Sequence, residues 1–478
     1  MGTRRRHSTY QAEQPDGLAR GVIALSLFAA LVALTGGSSR SDITQIIALR
    51  SFSALFLVAA LYQISWRELK LNGFLSIALL SYGVLLAIQV APMPPEVWRS
   101  LPGRADIYLL DAALDMEGLW RPLTFTPTRT WNALGSFIVP VCGFLLVLAY
   151  RASTLTLLRL VGVLGVFNAA LGLAQIVAGK SSVLYFYAIT SRGAPVGIFA
   201  NENHSAVFAA CSLLIVAALG VMRQGNGSPT WERLLYPAAF FLILLVSLAG
   251  GSRAGFVAVM GAVFLSIVVV VIGSGRRGGR APRDPVLRWI DGHLRLLVAC
   301  AILIALIIPV GFVALGRAPA FVDILAKDNF ADLRWSLWPV ILEMLKTHWL
   351  VGTGFGSFEQ VYHIYEPTSL LMPKYVNQAH NDWVQLVIEG GVLGAALVLS
   401  LIGWAAKQIF VLAAHRAGRT MALVFGGVFL ILGFASIIDY PLRTPVLQLV
   451  LVWLLLALSN EANDIRSTLF DQGRDKSS

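Results

Sequence analysis

His380 stands where a polar stretch gives way to an apolar run, in Gln378-Ala379-His380-Asn381-Asp382-Trp383. An imidazole titrates near neutral pH, so it can take a proton from a hydroxyl group such as that of a sugar. A polar helix cap is the plainer reading of the same residue, and His204, His348 and His363 compete with it for the chemical role. Arg253 lies on a short glycine-flanked turn, Gly250-Gly251-Ser252-Arg253-Ala254-Gly255. A guanidinium held there among backbone N–H groups suits a phosphate, which arginine engages through two parallel hydrogen bonds. An arginine that merely reaches up to lipid headgroups has the same surroundings. Arg192, at the head of Ser191-Arg192-Gly193-Ala194-Pro195-Val196-Gly197-Ile198-Phe199-Ala200-Asn201-Glu202-Asn203-His204, carries both readings as well. No Asp-x-Asp pair occurs and no His, Cys and Asp cluster has ligand spacing, so neither a metal nor another cofactor is expected. Cys142, Cys211 and Cys300 all sit inside apolar runs, which argues against a disulfide framework.

The elements that must place these residues are membrane helices. Of 478 residues, 57% are hydrophobic and only 13% charged, with a mean hydropathy of +0.72. That excludes a water-soluble enzyme. Apolar runs long enough to cross a hydrocarbon layer predict twelve spans, at 20–36, 45–64, 73–91, 131–150, 155–178, 203–222, 235–250, 254–273, 294–316, 383–404, 420–437 and 443–459. The fold class expected is all-α and polytopic. Although the first span follows Arg4, Arg5 and Arg6, no small-residue cleavage pattern comes after it, so it reads as a retained helix.

With the N-terminus inside, 22 of the 37 Lys and Arg fall on inside segments, and the positive-inside rule puts both termini in the cytoplasm. The net charge of +11 is then an orientation signal facing anionic lipid, above all in Arg276 to Arg295, and no nucleic-acid partner is expected. The organisation read from this layout is a tail at 1–17, nine spans over 18–316 with an outer loop at 92–130, a large outer loop at 317–382, three spans over 383–460, and a tail at 461–478. Both tails are polar and expected to be disordered. Within the second loop, Asp332 to Leu350 has helical apolar spacing, and Gly352, Gly354 and Gly356 break it. Loops of such length are uncommon without a function. Gly390, Gly391 and Gly394 lie on nearly one helical face, where small residues let another helix approach.

Taken together these residues resemble the O-antigen ligase and polymerase superfamily of the Wzy-C type. Its hallmark is His followed by Asn, Ser or Gln, nine residues, then Gly-x-x-Gly; here it reads His380-Asn381, nine residues, Gly391 and Gly394. The Gly-Ser-Arg-Ala-Gly turn at Arg253, the run at 197–204 and Gly-Thr-Gly-Phe-Gly at 352–356 are similar to the family too. The resemblance implies a GT-C-like, multi-pass protein of the bacterial inner membrane with a long helical periplasmic loop. It implies an inverting, metal-independent glycosyltransferase that takes a glycan from an undecaprenyl-pyrophosphate-linked oligosaccharide donor on the periplasmic side. On this analogy Arg192 and Arg253 hold the pyrophosphate and stabilise its charge as it leaves. His380 deprotonates the acceptor hydroxyl, Asn381 orients it or the substrate, and Arg334 at the head of the loop helix contacts the donor.

The acceptor is another repeat unit in a polymerase, lipid A-core in an O-antigen ligase, and a protein side chain in an oligosaccharyltransferase. Charge discriminates weakly between the first two. The 92–130 loop has four basic and five acidic residues and 317–382 has five and seven, net −1 and −2. A phosphate-rich lipid A-core favours a basic face, so the loops lean toward polymerisation of exopolysaccharide or O-antigen repeats. A transporter of lipid-linked sugar is the rival from another class. Such folds show paired halves and mid-membrane ionisable groups, whereas here the halves do not match and the polar groups gather at outer helix ends.

Overall fold

Apolar runs of this length become helices because a helix satisfies its own backbone polar groups where no water can. The computed structural model describes residues 15–222, 230–274, 329–371 and 376–475. In chain order the principal helices are α1 (Pro15–Thr35), α2 (Gln45–Gln63), α3 (Trp66–Leu71), α4 (Gly73–Val90), α5 (Pro95–Arg99), α6 (Ala105–Ala113), α7 (Pro127–Ser136), α8 (Ile138–Ala149), α9 (Thr154–Ala178), α10 (Glu202–Met222), α11 (Thr230–Leu248) and α12 (Arg253–Ser274). They continue with α13 (Asn329–His348), α14 (Phe358–Tyr365), α15 (Asp382–Ala414), α16 (Arg419–Ile438) and α17 (Pro445–Asp475). Among the described residues, nine helices are long and apolar enough to cross a membrane, and two more, Ala19–Thr35 and Leu234–Leu248, are shorter and apolar. The chain is an all-α polytopic membrane protein. Eleven of the expected spans coincide with these helices, and the one at 294–316 lies outside the described residues.

Two elements run further than their apolar stretches suggest. α15 continues to Ala414, and α17 carries the stretch expected as a disordered tail on to Asp475. The reason is an apolar stripe that outlasts the span: Ala462 is buried and Ile465 packs on the core, with Arg466 hydrogen-bonded to Gln408 of α15 beside them.

α10 forms the centre of the core, with Phe208, Ala210, Cys211, Leu213, Leu214 and Ile215 shut off from the surface and α9, α11, α12 and α16 packed around it. Small residues set the closest approaches: Gly165 of α9 lies against Ser212, and Gly255 of α12 against Ala206. α2 shows the opposite character, exposing Ile47, Phe52, Leu55, Val58 and Leu61 where lipid is the neighbour.

At one end of the bundle, the mouth, α1 ends and α2, α10, α12, α15 and α17 begin; Gly36 accepts from Val446 N–H at 3.1 Å and Gly37 from Ala200 N–H at 3.0 Å. The two long loops knit together over it. Pro92 and Met93 pair antiparallel with Pro122 and Arg121. Buried Arg104 lies over the Phe125 ring and donates to Leu123 O (2.8 Å) and Gly352 O (3.3 Å), while Phe125 N–H donates to Thr353 O (2.9 Å).

Candidate active site

His380 sits between two fixed pieces of backbone. Asn381 is the N-cap of α15 and its side-chain oxygen accepts from Val384 N–H at 3.1 Å. On the other side, Gln385 reaches back with its amide oxygen to Ala379 N–H at 2.8 Å. Between these anchors His380 takes a φ of +50°, the left-handed region that a non-glycine side chain adopts only when its surroundings enforce it. Strain of that kind is a reason to look for function, and the ring's neighbours supply one.

The His380 Nδ1 atom lies 3.5 Å from Oδ1 of Asp439, which follows the last turn of α16; the imidazole is a quarter exposed and the carboxylate buried. Asn203, near the start of α10, donates to the other oxygen of Asp439 at 2.7 Å. Burial alone raises a carboxyl pKa, but the close approach of His380 and the field of His204, with the Asn203 hydrogen bond adding to them, outweigh it and hold Asp439 well below the usual carboxylate range. Tyr440 packs between two imidazoles, its ring tilted against that of His380 at 5.2 Å and edge-on to that of His204 at 5.3 Å.

The competing histidines separate by access. His204 is buried, with 1% of its surface exposed, so no substrate reaches it. His348 is buried under the knitted loops, with Nε2 2.9 Å from the Tyr365 hydroxyl; burial and then the charge of Arg104 push its pKa down to about 4. His363 pairs with Glu366 at 3.1 Å on the exposed face of α14. His380 differs from all three in being partly open at the mouth of the bundle with a buried carboxylate, Asp439, behind it.

Arg253 begins α12, whose first turn is capped by Ser252 Oγ accepting from Gly255 N–H at 2.9 Å. The turn before it docks on α10 through Gly251 N–H, which donates to Glu202 Oε2 at 3.0 Å. Glu202 is followed by Asn203, the partner of Asp439. Arg253 and His380 are therefore joined by one short run of contacts at the mouth. Arg192 sits in a loop closed by Ser191 N–H donating to Ala200 O at 3.0 Å. Its guanidinium lies over Tyr185, 5.5 Å from the ring centroid, and donates to Lys180 O at 3.1 Å, so its visible partners belong to its own loop. Arg334 falls on α13, in its first two turns; its side chain lies outside the described residues.

Of the hallmark glycines, Gly391 has a different role from the helix packing expected of it. α15 breaks at Gly391, whose φ is +62°, and the loop at 350–354 hydrogen-bonds into the gap. Thr353 N–H donates to Ile388 O, Gly354 N–H to Glu389 O, and Val392 N–H to Leu350 O, at 2.9, 2.9 and 3.1 Å. A Cβ on Gly391 would lie 2.6 Å from the Val351 carbonyl carbon. The neighbour is a loop backbone, which needs both the room and the positive φ that glycine gives.

Sequence reasoning missed Asp439 and Asn203, together with Arg443, which pairs with buried Glu389 at 2.9 Å and Asp382 at 3.4 Å. A signal was available in Asp439-Tyr440-Pro441-Leu442-Arg443, two opposite charges on a very short connection between spans. Beside the site, a cavity of about 1200 Å³ runs from a polar end at Arg40, Arg129, Gln378, Asp382 and Arg443 to apolar walls at Leu401, Ile409, Phe410, Phe429 and Phe434.

No curated protein matches the chain. Residues 238–399 match the Wzy_C family model, described as O-Antigen ligase; this stretch begins in α11, ends in α15 and contains His380, Arg253 and Gly391.

Proposed function

We propose that the chain is an inverting, metal-independent glycosyltransferase that uses an undecaprenyl-pyrophosphate-linked glycan on the periplasmic side of the bacterial inner membrane and polymerises repeat units. The family implies lipid-linked glycan substrates and a membrane setting. One observation carries the mechanism: His380, partly open at the mouth, has Asp439 behind its Nδ1. A carboxylate so placed fixes the proton on Nδ1, leaves Nε2 to take a proton from the acceptor hydroxyl, and stabilises the cation formed. The freed alkoxide attacks the anomeric carbon, the bond to the pyrophosphate oxygen breaks, and the charge that leaves is met by Arg253, with Arg192 and Arg334 in the same role if they reach it. Inversion follows from a single displacement. Asn381 contributes by capping α15 and so fixing the backbone beside His380. The cavity beside the site, polar at the mouth and apolar along the spans, is suited to a lipid-linked substrate.

The loops at 92–130 and 317–382, net −1 and −2, favour a repeat-unit acceptor; the description of the matching family favours transfer to lipid A-core. Purified protein incubated with a lipid-linked repeat unit decides: a ladder of products supports polymerisation, and a single transfer that needs lipid A-core supports the ligase. Run with EDTA, the reaction should continue. Loss on chelation with rescue by magnesium or manganese would assign a carboxylate-bound ion to the site. Orientation is tested by Ser369→Cys, on an exposed turn of the loop: an impermeant thiol reagent should label it in cells whose outer membrane is permeable, and labelling only after inner-membrane lysis overturns a periplasmic site.

A further inference from the structure

Arg443 touches neither His380 nor Asp439 in the contacts described, yet it stands between the elements that carry them. Its Nη2 donates to Glu389 Oε2 at 2.9 Å and its Nε lies 3.4 Å from Asp382 Oδ1. Each carboxylate then holds one half of the His380–Asp439 pair. Glu389 Oε1 accepts from Gln385 Nε2 at 3.1 Å, and the same Gln385 accepts from Ala379 N–H, the residue before His380. Asp382 Oδ2 accepts from Leu442 N–H and Ser436 Oγ, both at 3.2 Å, which pins the connection bearing Asp439 to the start of α15. Glu389 and Asp382 are both buried. A buried ion network of this kind adds little net stability over apolar packing, and its best-attested use is to specify one arrangement.

We propose that Arg443, bridging Glu389 and Asp382, is a positioning residue that holds Asp439 in register with the His380 imidazole. The inference rests on reading His380 as the base. Removing the bridge lets the α16–α17 connection shift against α15, and a displacement near 1 Å at reacting groups costs on the order of 10²-fold in rate.

The test compares Arg443→Met, Arg443→Lys, Asp439→Asn and the double variants in purified full-length protein, with lipid-linked repeat as substrate and size exclusion to match folded amounts. Arg443→Met should lower kcat by roughly 10- to 100-fold, a larger change than any in KM for the donor although Arg443 also borders the cavity, and Arg443→Lys, which keeps the charge, should recover part of the loss. In the Asp439→Asn background, Arg443→Lys should have little further effect, since both act on the same pair. Where Arg443→Met leaves its two carboxylates unpaired and does not fold, Arg443→Lys carries the same comparison. A raised KM with unchanged kcat assigns Arg443 to substrate contact and overturns the proposal, as does full additivity with Asp439→Asn. His380→Ala is run alongside. If it transfers normally, the base reading itself fails; if it is inactive while both Arg443 variants keep full kcat, only the positioning role falls.

Discussion

Two histidines on the same face of the molecule show how surroundings decide what an imidazole does. His348 is enclosed by the knitted loops, with the positive charge of Arg104 acting on it and Tyr365 as its hydrogen-bond partner. It is kept neutral and serves as a staple between loops. His380 faces a carboxylate and an opening, the surroundings that the proposed role of base requires. Residue type is shared; the sign of the neighbouring charge and the presence of access separate structure from chemistry.

The largest expected effect breaks the second environment alone. Asp439→Asn keeps the shape but removes the charge behind His380, and transfer should fall by about 10² to 10⁴, while His348→Gln, which can still bond Tyr365, should keep most activity. Initial rates at matched protein levels check this; equal losses would erase the distinction. Arg253→Ala should weaken binding of the lipid pyrophosphate, and Arg253→Lys should also be impaired because a single ammonium cannot replace the planar fork. Donor titration separates this from a loss confined to turnover.

Gly391→Ala acts on neither histidine but on the frame that carries one. A side chain at φ +62° costs ~1–3 kcal/mol, and its contact with the Val351 backbone adds to that. A lower melting temperature in detergent and reduced yield should follow. The smallest effect is a pH dependence. His348 stays neutral in the fold down to about 4, whereas the unfolded chain takes a proton near 6.5. Its contribution is therefore complete above 6.5 and is lost as pH falls from 6.5 towards 4. Asp439 is displaced in the same direction from a lower starting point: its contribution is present above the ordinary carboxylate range and is lost as pH falls below it. Thermal melts of His348→Gln should be flatter than wild type between pH 6.5 and 4, with the decline at lower pH retained.

The spans were legible because lipid imposes one rule on every segment that crosses it, and eleven of the twelve expected runs coincide with described helices. His380 and Arg253 could be singled out as candidates because a titratable or charged group at a helix end is costly enough to invite explanation. Asp439 was harder to read: the connection it shares with Arg443 marks it as costly, but its partner is set by His380, distant along the chain, and by α10, which brings Asn203 to its other oxygen. The glycines were half legible. Their spacing suggested close approach, but the broken helix at Gly391 and the loop that fills it depend on backbone angles that spacing does not encode.

If His380 is the base, and its carboxylate-backed place at the mouth makes it so, removing the imidazole should stop transfer and spare donor binding. Donor binding and glycan transfer measured on one preparation of purified His380→Ala test it most directly. Donor affinity should stay close to wild type with transfer reduced by about 10² to 10⁴ or more; near-normal transfer would show that His380 is not the base.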